Sequence, residues 1–258
     1  MDHGETRPND AGGVAAQRRR LATPEPGLGA KGLVAVIFDV DGTLLDTESV
    51  YTAATNHVLA PYGHQLEWAL KQQLMGRPAL DACRVMVEQL ALPTTAEALL
   101  AERQAYEHAA WPHTAAMPGA ERLVRSLHAL GVPMAVATGS DAASLAAKTA
   151  AHQSWFRLFR AVVTSSDPAV VHGKPAPDIF QRAAALLHVA PADAGSVLVV
   201  EDAVNGVQAA LAAGMRVLAV PDPHLLALNR PVFAQADQLL ASLDEFDPAF
   251  WGLPDFPQ

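Results

Sequence analysis

Five short apolar runs recur along the chain: LVAVIF (33–38), PMAVAT (133–138), AVVT (161–164), SVLVV (196–200) and RVLAV (216–220). They lack the alternation of a strand wetted on one face. Apolar runs of this kind, separated by helical patterns, are the mark of parallel strands covered on both faces by crossover helices. The expected fold is therefore α/β, a Rossmann-like doubly wound parallel sheet. Residues 119–130 and 202–213 carry helical periodicity and each run ends at a glycine, Gly131 or Gly214, suited to a helix C-terminus.

One interval breaks this alternation. Between Asp46 and about Met117 the patterning is helical, with no strand, and the stretch is too long for one crossover. Thr94 and Glu97 have the spacing of a capping box that opens a helix toward Ala110, and residues 80–90 form another apolar-periodic segment. Met75, Cys83 and Met86 are expected to be its core, and Trp111, Trp155 and Trp251 are read as packing residues. The domain reading is a flexible tail over 1–32, an α/β core over 33–46 and 118–258, and an all-helical cap domain over 47–117. Open α/β sheets bind ligands beyond the carboxyl ends of their strands, so an insertion after the first strand is expected to cover the site.

Charge narrows the ligand. The chain holds 18 Lys and Arg against 27 Asp and Glu, a formal net charge of −9. Residues 1–32 hold five basic and four acidic side chains, so the folded part is the acidic part. That balance argues against a nucleic-acid-binding surface. An anionic ligand would need a positive group beyond the side-chain sum, which a bound divalent cation supplies. No apolar run is long enough to cross a bilayer, so no membrane partner is expected. The first thirty residues lack the apolar stretch of a secretory signal, and their acids disfavour a transit segment despite the cluster Arg18, Arg19 and Arg20. With a single cysteine, Cys83, no internal disulfide is available and a cytoplasmic location is expected.

The chemistry concentrates in LVAVIFDVDGTLLDTE, where Asp39 and Asp41 leave the first strand at its carboxyl edge. Two residues apart in extended backbone, they are expected to share one face. Neighbouring carboxylates resist joint ionisation unless a cation holds them, as at a Mg²⁺ site. A calcium loop is a poor fit, because a third acid before the glycine, a preceding helix and a distal Glu are missing. Thr138, Gly139 and Ser140 close the second strand, Lys174 lies in HGKPAPDIF, and Glu201 and Asp202 close SVLVV. All converge on the edge of the sheet that carries Asp39.

In these residues the chain resembles the haloacid dehalogenase-like hydrolase superfamily, with its four motifs in order and a helical insertion after the first. Within it, LMGRPALDA, MPGAERL, SSDPAVVHGKPAPDIF, EDAVNGVQAALAAGM and the terminal WGLP are most similar to the pseudouridine-5'-phosphatase and plant glycerol-3-phosphatase type. The resemblance implies a Mg²⁺-dependent phosphatase of a small phosphorylated metabolite. Asp39 would be the nucleophile that becomes an aspartyl-phosphate and Asp41 the proton carrier. Asp39, Asp202 and the main-chain carbonyl of Asp41 would be metal ligands, with Glu201 in contact with the ion or just behind it. Lys174, Thr138 and the Gly139–Ser140 turn would face the phosphate, and Lys174 would hold Asp39 ionised. The acid at Asp41 argues against dehalogenase and phosphonatase chemistry, while a β-phosphoglucomutase-like phosphotransferase stays open as the alternative. Arg77, with Glu48 and His113 behind it, is the expected cap contribution to substrate binding. Analogy with other caps of this type implies a monomer.

Overall fold

The computed structural model describes residues 32–74 and 77–256. The tail expected over 1–32 lies almost wholly outside the described residues, as do the Arg18–Arg20 cluster and Met75. In chain order the elements are β1 (Ala35–Phe38), α1 (Thr47–Leu59), α2 (Trp68–Leu74), α3 (Ala79–Gln89), α4 (Ala96–Ala110), α5 (Ala120–Ala129), β2 (Met134–Ala137), α6 (Ala142–Lys148), α7 (Gln153–Phe156) and β3 (Ala161–Val163). Then follow α8 (Asp178–Leu186), β4 (Val197–Glu201), α9 (Val204–Ala212), β5 (Arg216–Ala219), α10 (Pro223–Leu228), α11 (Arg230–Phe233) and β6 (Gln238–Leu239). Each apolar run forms a strand within a residue or two of its expected ends. The two-residue β6, too short to leave a pattern, is additional.

The strands form one parallel sheet in the order β3-β2-β1-β4-β5-β6. Side chains alternate across it: Val36 and Phe38 enter the core on one face with α5, Trp155 and Trp251, while Ala35 and Ile37 enter the other with residues of α8 and α9. Apolar cover on both faces explains why the runs do not alternate with polar residues. The chain winds outward from β1 to β3, then returns to the far side of β1 as β4, which leaves a crevice between the ends of β1 and β4. Their register pairs Phe38 with Val200, so the next residues, Asp39 and Glu201, emerge side by side.

Helices α1 to α4 pack on a cluster of their own, in which Val58, Leu59, Cys83, Met86 and Leu99 are buried. The chain leaves and re-enters the sheet by adjacent linkers, where the Met117 amide donates to Leu44 at 2.9 Å and the Asp46 amide to Ala115 at 2.9 Å. Asp46 caps α1 by accepting from the Ser49 amide at 3.2 Å. The capping box expected at Thr94 is displaced by one residue: Thr95 is the cap, its hydroxyl accepting from the Ala98 amide at 3.2 Å. The helix therefore starts one residue later, and Glu97 falls in its first turn.

Gly119 precedes α5 at φ +81, a conformation that disfavours any side chain, and a Cβ there would press on the backbone of Leu243 and Asp244. Gly119→Ala is expected to destabilise the protein by about 2 kcal/mol, since strain and overlap with backbone both apply. Urea unfolding followed by circular dichroism checks this.

Candidate active site

The edge of the sheet gathers Asp39, Glu201, Asp202 and Lys174 from three chain segments. Lys174 Nζ lies 2.5 Å from Asp39 Oδ1, 2.6 Å from Glu201 Oε1 and 3.2 Å from the carbonyl of Ala137. The ring of Phe180 sits 4.9 Å from the ammonium. Glu201 turns its other oxygen to the amides of Asp202 (3.1 Å) and Ala203 (3.0 Å), just ahead of α9. Asp202 accepts from the hydroxyl of Thr43 at 3.1 Å, which gives a local role to the Thr that follows Asp-x-Asp-Gly.

Two glycines make this packing possible. A Cβ at Gly42 would overlap the Asp202 carboxylate, and one at Gly206 would overlap that of Glu201. Gly206 leaves room for the Glu201 carboxylate, a constraint that the sequence analysis did not single out. Its signal was a glycine in the first turn of a helix that directly follows the acidic pair.

Asp39, Glu201 and Asp202 each offer an oxygen, and these oxygens lie within 4.8 Å of one another. Three carboxylates against the single ammonium of Lys174 leave a formal charge of −2 in a largely buried place. Burial drives the Asp39 carboxyl up to about 7, against the pull of Lys174 and with the repulsion of Glu201 and Asp41 added. Burial, then Glu201 and Asp39, push Asp202 well above the ordinary carboxylate range. Lys174 pulls the Asp39 carboxyl down, and desolvation works against it. Hard oxygen donors with two surplus negative charges fit a divalent cation.

Asp41 has charge partners of its own. The strand ends at Phe38, so Asp41 stands in the following turn, and the two aspartates pair with different lysines, Asp39 with Lys174 and Asp41 with Lys148. Its Oδ1 receives Lys148 Nζ at 2.5 Å, and its Oδ2 accepts from the hydroxyls of Ser140 (2.9 Å) and Thr138 (3.4 Å). Burial raises the Asp41 carboxyl, but Lys148 and Ser140 outweigh it and hold the group below its ordinary value. The Thr138 hydroxyl, fully buried, also accepts from the Ser140 amide at 3.0 Å and so shapes the turn through the exposed Gly139.

Beside Asp41 opens a cavity of about 450 Å³, lined from the helical insertion by Tyr51, Gln104, Glu107, His108 and Trp111. Ser140 and Lys148 line its other wall. Glu107 is buried and held by Arg103 at 3.0 Å. Lys148 and Trp111 thus line this cavity, the first carrying no signal in the sequence pattern and the second expected only to pack. The structure does not bring Arg77 to this wall: it is exposed, and its Nε donates to the carbonyl of Gln73 at 2.6 Å, at the end of α2. Glu48 is half exposed and pairs with Lys71 at 3.3 Å, and His113 is exposed. Among the described residues no helix is long and apolar enough to cross a membrane.

Residues 33–214 match the family model described as haloacid dehalogenase-like hydrolase. "(DL)-glycerol-3-phosphatase 1, mitochondrial" of Arabidopsis thaliana is 42% identical over 245 residues, 94% of this chain and 80% of that protein. "Probable pseudouridine-5'-phosphatase" of Drosophila melanogaster is 46% identical over 221 residues, 85% of this chain and 94% of that one. Among solved structures, a HAD family hydrolase of Deinococcus radiodurans R1 with bound phosphate and sodium superposes with a TM-score of 0.70 at 26% identity, covering 84% of this chain and 95% of that chain. With the carboxylates of Asp39, Glu201 and Asp202 gathered around Lys174 at the sheet edge, and with this extent of shared sequence, the chain belongs to the haloacid dehalogenase-like hydrolases.

Proposed function

We propose that the protein is a Mg²⁺-dependent phosphatase of a small phosphomonoester, glycerol phosphate or pseudouridine 5'-phosphate being the favoured substrates. One observation carries the reading: a −2 carboxylate cluster around Asp39 stands next to a second, charge-balanced carboxylate, Asp41. The first is suited to a nucleophile beside a cation and the second to proton transfer. The names of the relatives, phosphatases at 42% and 46% identity, point the same way and weigh against the phosphotransferase alternative.

Asp39 and Asp202 would hold the Mg²⁺, with the Asp41 main-chain carbonyl completing the protein ligands and Glu201 beside them. When bound, the ion supplies positive charge that favours ionised Asp39 and offsets the charge of the phosphate. Lys174 occupies Asp39 Oδ1, which leaves Oδ2 to attack phosphorus. An O–P bond forms to Asp39 as the ester P–O bond breaks, and the leaving oxygen takes a proton that Asp41, ionised at rest beside Lys148, first accepts from the incoming phosphomonoester or from water. Water then attacks the aspartyl-phosphate, Asp41 takes its proton, and phosphate leaves as the bond to Asp39 breaks. Lys174, Thr138 and the Gly139–Ser140 turn would form the phosphate's surroundings.

Residues 47–117 would act as the cap. The leaving group departs on the Asp41 side, where the cavity of about 450 Å³ is walled by cap residues, a size suited to a polyol or nucleoside. Arg77, closing the end of α2, would act through the cap's shape and not by direct contact. A monomer in the cytoplasm belongs to the same proposal, although one relative's name places that protein in mitochondria.

Phosphate release from glycerol 3-phosphate and pseudouridine 5'-phosphate tests the proposal. Activity is expected with Mg²⁺, lost with EDTA and restored by added Mg²⁺, and Asp39→Asn is expected to lower kcat by at least about 1,000-fold. Full activity in that variant, or indifference to EDTA, overturns the reading. Gly206→Ala, which displaces the Glu201 carboxylate, is expected to raise the Mg²⁺ concentration for half-maximal activity by about 10-fold or more. A Mg²⁺ titration of initial rates reads this directly.

A further inference from the structure

Lys148 is the last residue of α6, and its side chain is only 1% exposed. Its ammonium contacts Asp41 Oδ1 at 2.5 Å, the Ser140 hydroxyl at 2.8 Å and the Tyr51 hydroxyl at 3.0 Å. An ammonium has three protons, so all three are engaged. The ring of Trp111 lies 4.6 Å from the nitrogen and that of Tyr51 5.3 Å away. A buried ion pair is often no more stable than an apolar pair of the same volume, whereas removing Lys148 alone would leave the Asp41 carboxylate unpaired. Stability alone is therefore a poor reason for the pair.

The partners come from two bodies of structure. Asp41 and Ser140 follow β1 and β2, at the edge of the sheet. Tyr51 belongs to α1, and Trp111 directly follows α4, both in the helical insertion. The two aromatic rings meet edge to face at 5.1 Å, so they form one wall. A single ammonium thus joins the helical insertion to the carboxylate of Asp41. With its three protons committed, Lys148 has none left for the phosphate.

We propose that Lys148 is a positioning residue for the hydrolytic half of the reaction, holding the Asp41 carboxylate for the attacking water in an orientation set by Tyr51 and Trp111. This rests on Asp39 as nucleophile and Asp41 as proton carrier. In that half the water oxygen bonds to phosphorus, the bond from phosphorus to Asp39 breaks, and one proton passes from water to Asp41. Lys148 keeps its own protons throughout.

The test is rapid-mixing kinetics of the full chain with Mg²⁺ and p-nitrophenyl phosphate, whose phenolate leaves without needing a proton. Lys148→Met is expected to phosphorylate Asp39 at a rate within about threefold of the parent, seen as a burst near one equivalent per site. Steady turnover then falls at least about tenfold, because the base that activates water is misplaced. A merely structural lysine would slow burst and turnover together, and that result, or unchanged turnover, overturns the proposal. Tyr51→Phe removes one hydroxyl only and decides between the two outcomes should Lys148→Met fail to fold. It is expected to keep the burst and slow turnover about threefold; unaltered turnover there refutes the link through the cap. Asp41→Asn and Asp39→Asn separate the failures: without a burst followed by slow turnover in the first, the role of Asp41 is wrong, and turnover by the second refutes the phosphatase mechanism itself.

Discussion

Three carboxylates and one ammonium share the end of β1 and β4, and their imbalance governs the site. Lys174 neutralises part of the charge of Asp39 and Glu201, while Asp202 rests on the Thr43 hydroxyl. The remaining −2 lies in a largely dry place, where like charges repel strongly. Desolvation and repulsion lift the Asp39 and Asp202 carboxyls, and the oxygens of Asp39, Glu201 and Asp202, within 4.8 Å of one another, could hold a positive ligand. The acidic balance of the chain and a phosphate substrate are then compatible.

The sheet makes this concentration of charge sustainable. Parallel strands covered on both faces form a rigid support, and the reversal of winding at β1 and β4 opens a crevice at their carboxyl ends. The two strands are hydrogen-bonded over their length, so Asp39 and Glu201 are set by register and not by flexible loops. Gly42 and Gly206 remove side chains where the Asp202 and Glu201 carboxylates must lie. Backbone geometry therefore opposes the repulsion, and side-chain packing holds the groups close enough to act together.

A second charge pair, Asp41 with Lys148, is balanced where the first is not. The division suits the proposed displacement followed by proton transfer, in which Asp39 would need a cation beside it and Asp41 a fixed orientation. The helical insertion contributes to this second pair through Tyr51 and Trp111, and the same residues wall the adjoining cavity. In the proposed reading, substrate recognition and proton transfer would share one surface.

Much of this was legible in one dimension. Each of Asp39, Thr138 and Glu201 ends an apolar run or directly follows it, and strand ends in a doubly wound sheet are where ligands bind, so local pattern and topology agree. Lys174, in a loop, was found through its surrounding motif. Lys148 was not legible: at the end of the alanine-rich AASLAAK it reads as a solvated helix-terminal lysine. It is buried because Tyr51, 97 residues earlier in the chain, and Trp111 close over it. The direction of Arg77 was not legible either, since a guanidinium in a distinctive motif says nothing of where it points, and here it closes the end of α2. The sequence alone determined the sheet, its acidic edge and the helical insertion, because hydrophobic period and strand-end chemistry are local properties. The separate pairing of the two aspartates, the shift of Asp39 and the burial of Lys148 were decided by tertiary structure, because desolvation and charge coupling depend on which distant segments meet.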